Sequence, residues 1–155
     1  MKSRIVLLIL QLVIVRAYLL GQSYDVIQQP PDGSASDDPG IITQFTPAIE
    51  RGSIVFIAHQ NLDGAAFYDL KPGDVIWTVN DRGKATAYGV TEITVYQVAG
   101  DVYINQSTGE YVHVKDLYDW IYVKDNLVLM TCYAVGDDPG WGRLIVIARP
   151  FSRAY

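Results

Sequence analysis

The chain holds one cysteine, Cys132, and two histidines, His59 and His113. Cys132 closes the apolar run LVLMTC (Leu127 to Cys132) and is followed by a stretch of Gly, Asp, Pro and Trp. A thiol at a strand end, facing a loop, is placed to act as a nucleophile, whereas a structural cysteine more usually sits inside such a run. His59 closes a second apolar run, SIVFIAH (Ser53 to His59), 73 residues before the cysteine. Arg143, 11 residues after the cysteine, stands at the head of a third, RLIVIAR (Arg143 to Arg149). A thiol, a titratable imidazole and a permanent cation thus meet the ends of three separate strand-like runs. Each has a plainer rival reading: Cys132 as a small buried hydrophobe, His59 as a structural histidine, Arg143 as a surface ion-pair partner. Arg149 competes for the role of Arg143, and His113 reads as a solvated surface histidine.

A chain of 155 residues is one domain, or one domain with an appendage. Its net charge of −5 and the lack of any basic stripe argue against a nucleic-acid partner. No Cys/His spacing suits zinc, and a single cysteine forms no internal disulfide. Gly-rich phosphate loops are missing, so nucleotides are not expected. Asp137 and Asp138 are adjacent carboxylates but do not make a calcium site. No metal and no cofactor is expected.

The amino-terminal segment carries Lys2 and Arg4 ahead of IVLLILQLVIV (Ile5 to Val15), then Arg16 and AYLLG. A basic start followed by an apolar run reads as a signal peptide or membrane anchor over residues 1–21. The 16 residues from Ile5 to Leu20 fall just short of the roughly 18–20 of a spanning helix, and no A-x-A cleavage site follows. The competing reading is a hydrophobic strand or helix packed in the core. Residues 22–40, QSYDVIQQPPDGSASDDPG, are rich in Pro, Gly, Ser and Asp and read as a flexible linker, long enough to reach across a groove. The folded domain is then expected over residues 41–155, extracytoplasmic and either membrane-anchored or secreted.

Within that domain the pattern predicts an all-β fold. Apolar or alternating runs lie at 53–58, 74–79, 85–98, 102–104, 127–132 and 143–149, separated by turn signals such as LKPGD, NDRG, AGD and NQSTG. The stretch 85–98 has room for two strands or one bent strand. Only 63–70 and 115–121 look helical. Many short strands with frequent turns point to a barrel or sandwich.

Papain-type proteases place the cysteine before the histidine, caspases carry a local cysteine signature missing here, and L,D-transpeptidases place arginine directly after the cysteine, where this chain has Tyr133. The chain instead resembles the sortase family. FIAHQNLDGAAFYDLKPGDVI (Phe56 to Ile76) is similar to the sortase strand that ends in the catalytic histidine and leads to a short helix and a GD turn. Val128 to Cys132 resembles the family's TLxTC, with Val128 for the first threonine. RLIVIA (Arg143 to Ala148) resembles the arginine strand RxxVxA, and YVHVKDLYDW (Tyr111 to Trp120) the stretch before the cysteine strand. Ala58 replaces the glycine that usually precedes the histidine. The resemblance spans roughly residues 48–150. It implies a closed β-barrel of about seven to eight strands with one or two short helices. Sortases have two or three strands before the histidine strand. Either Tyr24 to Ile27 and the Ile41 stretch supply short versions of them, or the barrel is trimmed.

What the resemblance implies chemically is transpeptidation through a thioester. Cys132 would attack the threonine carbonyl of an LPxTG-like sorting signal on a surface protein, and an amine, from a cell-wall peptide or a pilin lysine, would accept the acyl group. A thiol with an ordinary pKa of about 8.5 needs a base or a positive neighbour. His59 would protonate the leaving amine and deprotonate the incoming one. Arg143 would hold the carbonyl or the developing oxyanion, and Thr131 would contact the substrate backbone. Two alternatives stay open: a thiol endopeptidase, in which water resolves the same thioester, and a non-catalytic cell-surface β-domain.

Overall fold

The computed structural model describes residues 12–151. Ten strands follow in chain order: β1 (Ile14–Leu19), β2 (Gln22–Gln28), β3 (Ile41–Gln44), β4 (Ile54–Ile57), β5 (Val75–Asn80), β6 (Ala85–Ala99), β7 (Val102–Asn105), β8 (Tyr111–His113), β9 (Leu127–Val135) and β10 (Asp138–Pro150). Two 3-10 helices, Thr46–Arg51 and Asp63–Asp69, and one α-helix, α1 (Val114–Ile121), complete the fold. The sheet runs β10-β9-β4-β3-β2-β1-β5-β6, and a further pairing of β6 with β10 closes these eight strands into a barrel. The β7–β8 hairpin extends the outer half of β6.

Two periodicities build the core. Alternate residues of each barrel strand point inward, where Ile14, Leu19, Ile42, Phe56, Ile76 and Leu129 are almost fully buried. The other face of β4, β9 and β10 is covered by α1. Leu117 and Ile121, four apart and so on one side of that helix, pack with Val55, Val128 and Ile145. His113 caps α1, its Nδ1 accepting from the Lys115 N–H at 3.2 Å. The stretch 85–98 is one bent strand: its first half pairs with β5 and its second with β7, while β10 runs along the other edge. A bulge where Ile147 and Ala148 face Glu92 and Val90 provides the bend.

The amino-terminal region differs from its sequence reading. Residues 1–11 of the expected leader lie outside the described residues. Its remainder is β1, paired with both β2 and β5, with Ile14, Ala17 and Leu19 buried. Arg16 faces outward and is held by Asp25 at 2.8 Å. Hydropathy hid this strand, because its outward Val15 and its end residue Leu20 are also apolar. Residues 22–28 of the expected linker are β2, whose inward Tyr24 and Val26 alternate with outward Ser23, Asp25 and Ile27. Three strands therefore precede β4, and the barrel is not trimmed.

Residues 29–40 form a hydrogen-bonded loop. Gly33 N donates to Pro30 O at 2.9 Å, Ser36 N to the buried Thr43 hydroxyl at 2.9 Å, and Asp25 N to Gly40 O at 3.0 Å. The buried amide of Gln44 stitches the entrance of β1 to β3: its Oε1 accepts from Ile14 N at 2.9 Å and its Nε2 donates to Leu12 O at 2.6 Å. Among the described residues no helix is long and apolar enough to cross a membrane.

If β1 is a wall of the barrel, a chain beginning at Gln22 leaves β2 and β5 with unpaired edges and an opened core. We expect it to lose cooperative unfolding in urea followed by circular dichroism, whereas a chain beginning at Leu12 keeps it.

Candidate active site

Cys132 and Arg143 stand on the adjacent strands β9 and β10, and His59 lies just past the end of β4, which pairs with β9. β4 and β9 run parallel with Ile57 opposite Met130, and Ala58 N donates to Met130 O at 3.4 Å. His59 follows two residues past the last residue of β4, where its carbonyl accepts from Leu62 N and Gly64 N at 3.0 Å each. On the other side, β9 and β10 are antiparallel, and Arg143 is the direct partner of Cys132. Paired strands lie about 4.8 Å apart, so the backbones of Cys132 and Arg143 are neighbours.

Strand alternation puts Cys132 and Arg143 on one face. Val55, Val128, Met130, Ile145 and Ile147 point to the α1 side. Cys132 and Arg143 continue the series of Met130 and Ile145, two residues on. The positive charge of Arg143 reaches the Tyr118 phenol on α1. Burial pushes that phenol upward, and Arg143 offsets part of the rise. One guanidinium nitrogen of Arg143 donates to the Gly142 carbonyl at 2.9 Å. Cys132 is partly buried, and the His59 side chain keeps 41% of its exposure.

Several expectations need correction. Cys132 lies within β9, which continues to Val135, and Arg143 lies within β10, five residues past its start. The stretch GDDPGWG is a tight hairpin turn and the bulged start of β10 rather than a loop, so both residues sit inside a paired ladder. Thr131 was expected to meet substrate. Being next to Cys132 in a strand, it points the opposite way, into the barrel, where it is 3% exposed and its hydroxyl donates to Ala58 O at 2.7 Å. It ties β9 to β4 instead. Arg149 is exposed at the far end of β10. Trp141 is half-buried against Tyr133.

Three participants had no signal in the sequence. Asp37, from the loop between β2 and β3, places a carboxylate oxygen 3.2 Å from His59 Nε2. The Tyr68 hydroxyl donates to the carbonyl of Cys132 itself and also reaches Gln60 Oε1 at 3.3 Å, while its ring stacks on Tyr133. Burial, then the neighbouring Tyr133 and Cys132, push the Tyr68 phenol up. Gly64 lets the second 3-10 helix press onto β4 and β9. These contacts join residues far apart in the chain, and no local pattern announces them. Among the described residues no group of three or more His, Cys, Asp or Glu is arranged to hold a metal ion.

A model of the sortase domain family matches residues 12–151. Solved structures similar to this chain include a sortase C1 from Streptococcus suis, 15% identical with a TM-score of 0.64, the match covering 99% of this chain and 81% of that one. A sortase C-1 from Actinomyces oris is 17% identical with a TM-score of 0.60, covering 89% and 73%. A sortase C from Clostridium perfringens is 17% identical with a TM-score of 0.58, covering 91% and 71%. At these identities the structures share the fold. A search of curated proteins found no match.

A Cβ on Gly64 would press on the Thr131 hydroxyl and come within 2.6 Å of His59 O and 2.8 Å of Ala58 O. Two of those atoms are backbone and cannot swing away. Gly64→Ala is expected to cost about 1–3 kcal/mol of stability, read as a lower urea midpoint, and to slow acylation of Cys132 because the carbonyl it strikes belongs to His59.

Proposed function

Because the chain belongs to the sortase domain family, a family of cysteine transpeptidases that act at the cell surface, we propose that it cleaves an LPxTG-like sorting signal and transfers the acyl group to an amine, using Cys132, His59 and Arg143. The observation that supports this reading is that Arg143 is the direct strand partner of Cys132, while His59 follows the end of β4, the strand paired with the other edge of β9.

Each residue has a step that its position suits. The sulfur of Cys132, as thiolate, attacks the threonine carbonyl carbon of the substrate. A carbon–sulfur bond forms and negative charge collects on the carbonyl oxygen. Arg143 cannot lose its proton and offers rigid N–H donors from the neighbouring strand, so it stabilises that oxygen. The amide carbon–nitrogen bond then breaks, and His59 gives its proton to the departing amine, leaving a thioester on Cys132. In the second half His59 takes a proton from the incoming amine, which attacks the thioester and returns the thiolate. Anchoring to a membrane through the amino-terminal segment belongs to the same reading, as does a surface protein as donor and a cell-wall peptide or pilin lysine as acceptor.

Intact-mass spectrometry tests the chemistry directly. The full chain, mixed with LPxTG-like peptides and an oligoglycine amine, should gain a peptide-acyl mass and yield ligated product, and Cys132→Ala should gain none. Release of free acid only, with no ligation, would make the protein a thiol endopeptidase. An unmodified wild type whose thiol also resists iodoacetamide would leave a non-catalytic surface domain. Arg143→Ala should lower kcat/KM by about two to three orders of magnitude. Arg143→Lys should restore little of it, since an ammonium lacks the planar pair of donors.

A further inference from the structure

The barrel has a second opening, at the end opposite Cys132. A cavity of about 500 Å³ opens there, floored by inward residues such as Leu12, Ile14, Ile54 and Tyr88 and edged by Lys84 and Lys124. From Ile54 to His59, and from Leu127 to Cys132, each strand rises five residues, about 16 Å. The cavity and the candidate active site therefore belong to different ends of the molecule.

Charge divides along the same axis. Of the nine described basic residues, five stand on the segments framing this mouth: Arg51, Lys84 and Lys124 line it, Arg82 lies in the turn between Asn80 and Lys84, and Arg149 precedes the lining residue Pro150. Only three of the seventeen acids, Glu50, Asp81 and Asp125, share those segments, and Arg51 is neutralised from α1 by Asp119 at 2.5 Å. The framing segments are thus net positive. Among the described residues outside these segments, four basic side chains stand against fourteen acidic ones. Several of those acids, Asp37, Asp63, Asp137 and Asp138, lie in the segments around His59 and Cys132. Such a separation orients a protein on an anionic surface, with the positive end drawn down and the negative end pushed away. The start of β1 belongs to the same mouth, which Leu12 and Ile14 line.

We propose that this mouth is the face by which the domain rests on an anionic phospholipid surface, with headgroup phosphates held at the cavity edge by Lys84 and Lys124. The inference rests on the reading that the protein works at a membrane, but it does not depend on the cysteine chemistry. It gives the amino-terminal segment and the folded domain one common membrane-facing side, and it holds Cys132 about 16 Å or more above the lipid, facing the space where the substrate and the amine would meet.

Vesicle co-sedimentation of the full chain tests it. Wild type should partition more strongly onto vesicles of one part phosphatidylglycerol to three parts phosphatidylcholine than onto pure phosphatidylcholine, and 0.5 M salt should erase the difference. Lys84→Glu combined with Lys124→Glu should lower the phosphatidylglycerol-dependent partition at least five-fold and leave partition onto pure phosphatidylcholine unchanged. Lys84→Gln with Lys124→Gln should fall between them. Equal binding of wild type and both double variants would overturn the proposal, assigning any lipid preference to Lys2, Arg4 and the apolar run alone. So would a wild type with no preference for the anionic vesicles. Acylation by a soluble peptide, measured in parallel, should be unchanged in both double variants. Its loss in every protein including wild type, with the lipid preference intact, would remove the catalytic reading and leave this one standing.

Discussion

The register of β9 between β4 and β10 is the constraint on which the site depends. A slip of one residue would turn Cys132 into the barrel and bring Thr131 out to the α1 face. Both ends of the β4–β9 pair are fastened against such a slip. At one end Asn126 O accepts from Ile54 N at 3.0 Å and from the Ser53 hydroxyl at 3.1 Å, while the Asn126 amide donates to Ile121 O at 3.0 Å. At the other, the Thr131 hydroxyl reaches Ala58 O. Between them Leu127 and Leu129 are buried inward and Val128 outward, so either face would lose its packing if the strand moved. The thiol keeps its neighbours because the strand carrying it is buried on both sides.

Buried polar groups recur wherever the barrel might shift. Gln44, fully buried, satisfies both ends of its amide on the backbone of Leu12 and Ile14 and also accepts from Gln28 at 2.8 Å. A buried amide left unpaired is costly, so each such bond favours one alignment over its neighbours. The hydroxyl of Thr131 does for β9 what the amide of Gln44 does for β1. Residues that might have been read as substrate contacts or solvated loop residues are the fasteners of the wall behind the site.

Around that wall the fold divides its labour by direction. The interior is filled by apolar side chains from all eight barrel strands and is a packed core rather than a channel over most of its length. The outer face of β4, β9 and β10 is shared between α1, which seals its lower part, and the candidate active site, which takes the part α1 leaves open. Tyr118 and Arg143 mark the border: the aromatic belongs to the seal and the cation to the site, and the cation eases part of the upward push that burial gives the phenol. Loops from distant parts of the chain then reach the open part, Asp37 to His59 and Tyr68 to the Cys132 carbonyl.

Much of this was legible in the amino-acid sequence where local pattern and tertiary demand coincide. The runs at 53–58, 127–132 and 143–149 became β4, β9 and β10, because a strand buried on both faces is a continuous apolar run and needs no partner to be recognised. The run at 74–79 became β5, legible from its β-forming residues although Val75 and Trp77 are exposed. The order His59, Cys132, Arg143 and the motifs around them pointed to the family. At β1 and β2 the pattern misled: β1 looked like a leader because outward Val15 and its end residue Leu20 are apolar, and β2 looked like linker because Ser23, Asp25 and Gln28 are polar and a stretch rich in Pro, Gly and Ser follows. Only the barrel could decide those two, since their stability comes from strands that pair on either side. The same holds within the site. Residue types in the sequence determine which groups can be nucleophile, proton carrier and fixed cation. That Arg143 is the strand partner of Cys132, that Thr131 points into the barrel, and that Asp37 reaches His59 and Tyr68 the Cys132 carbonyl, follows from strand register and loop closure.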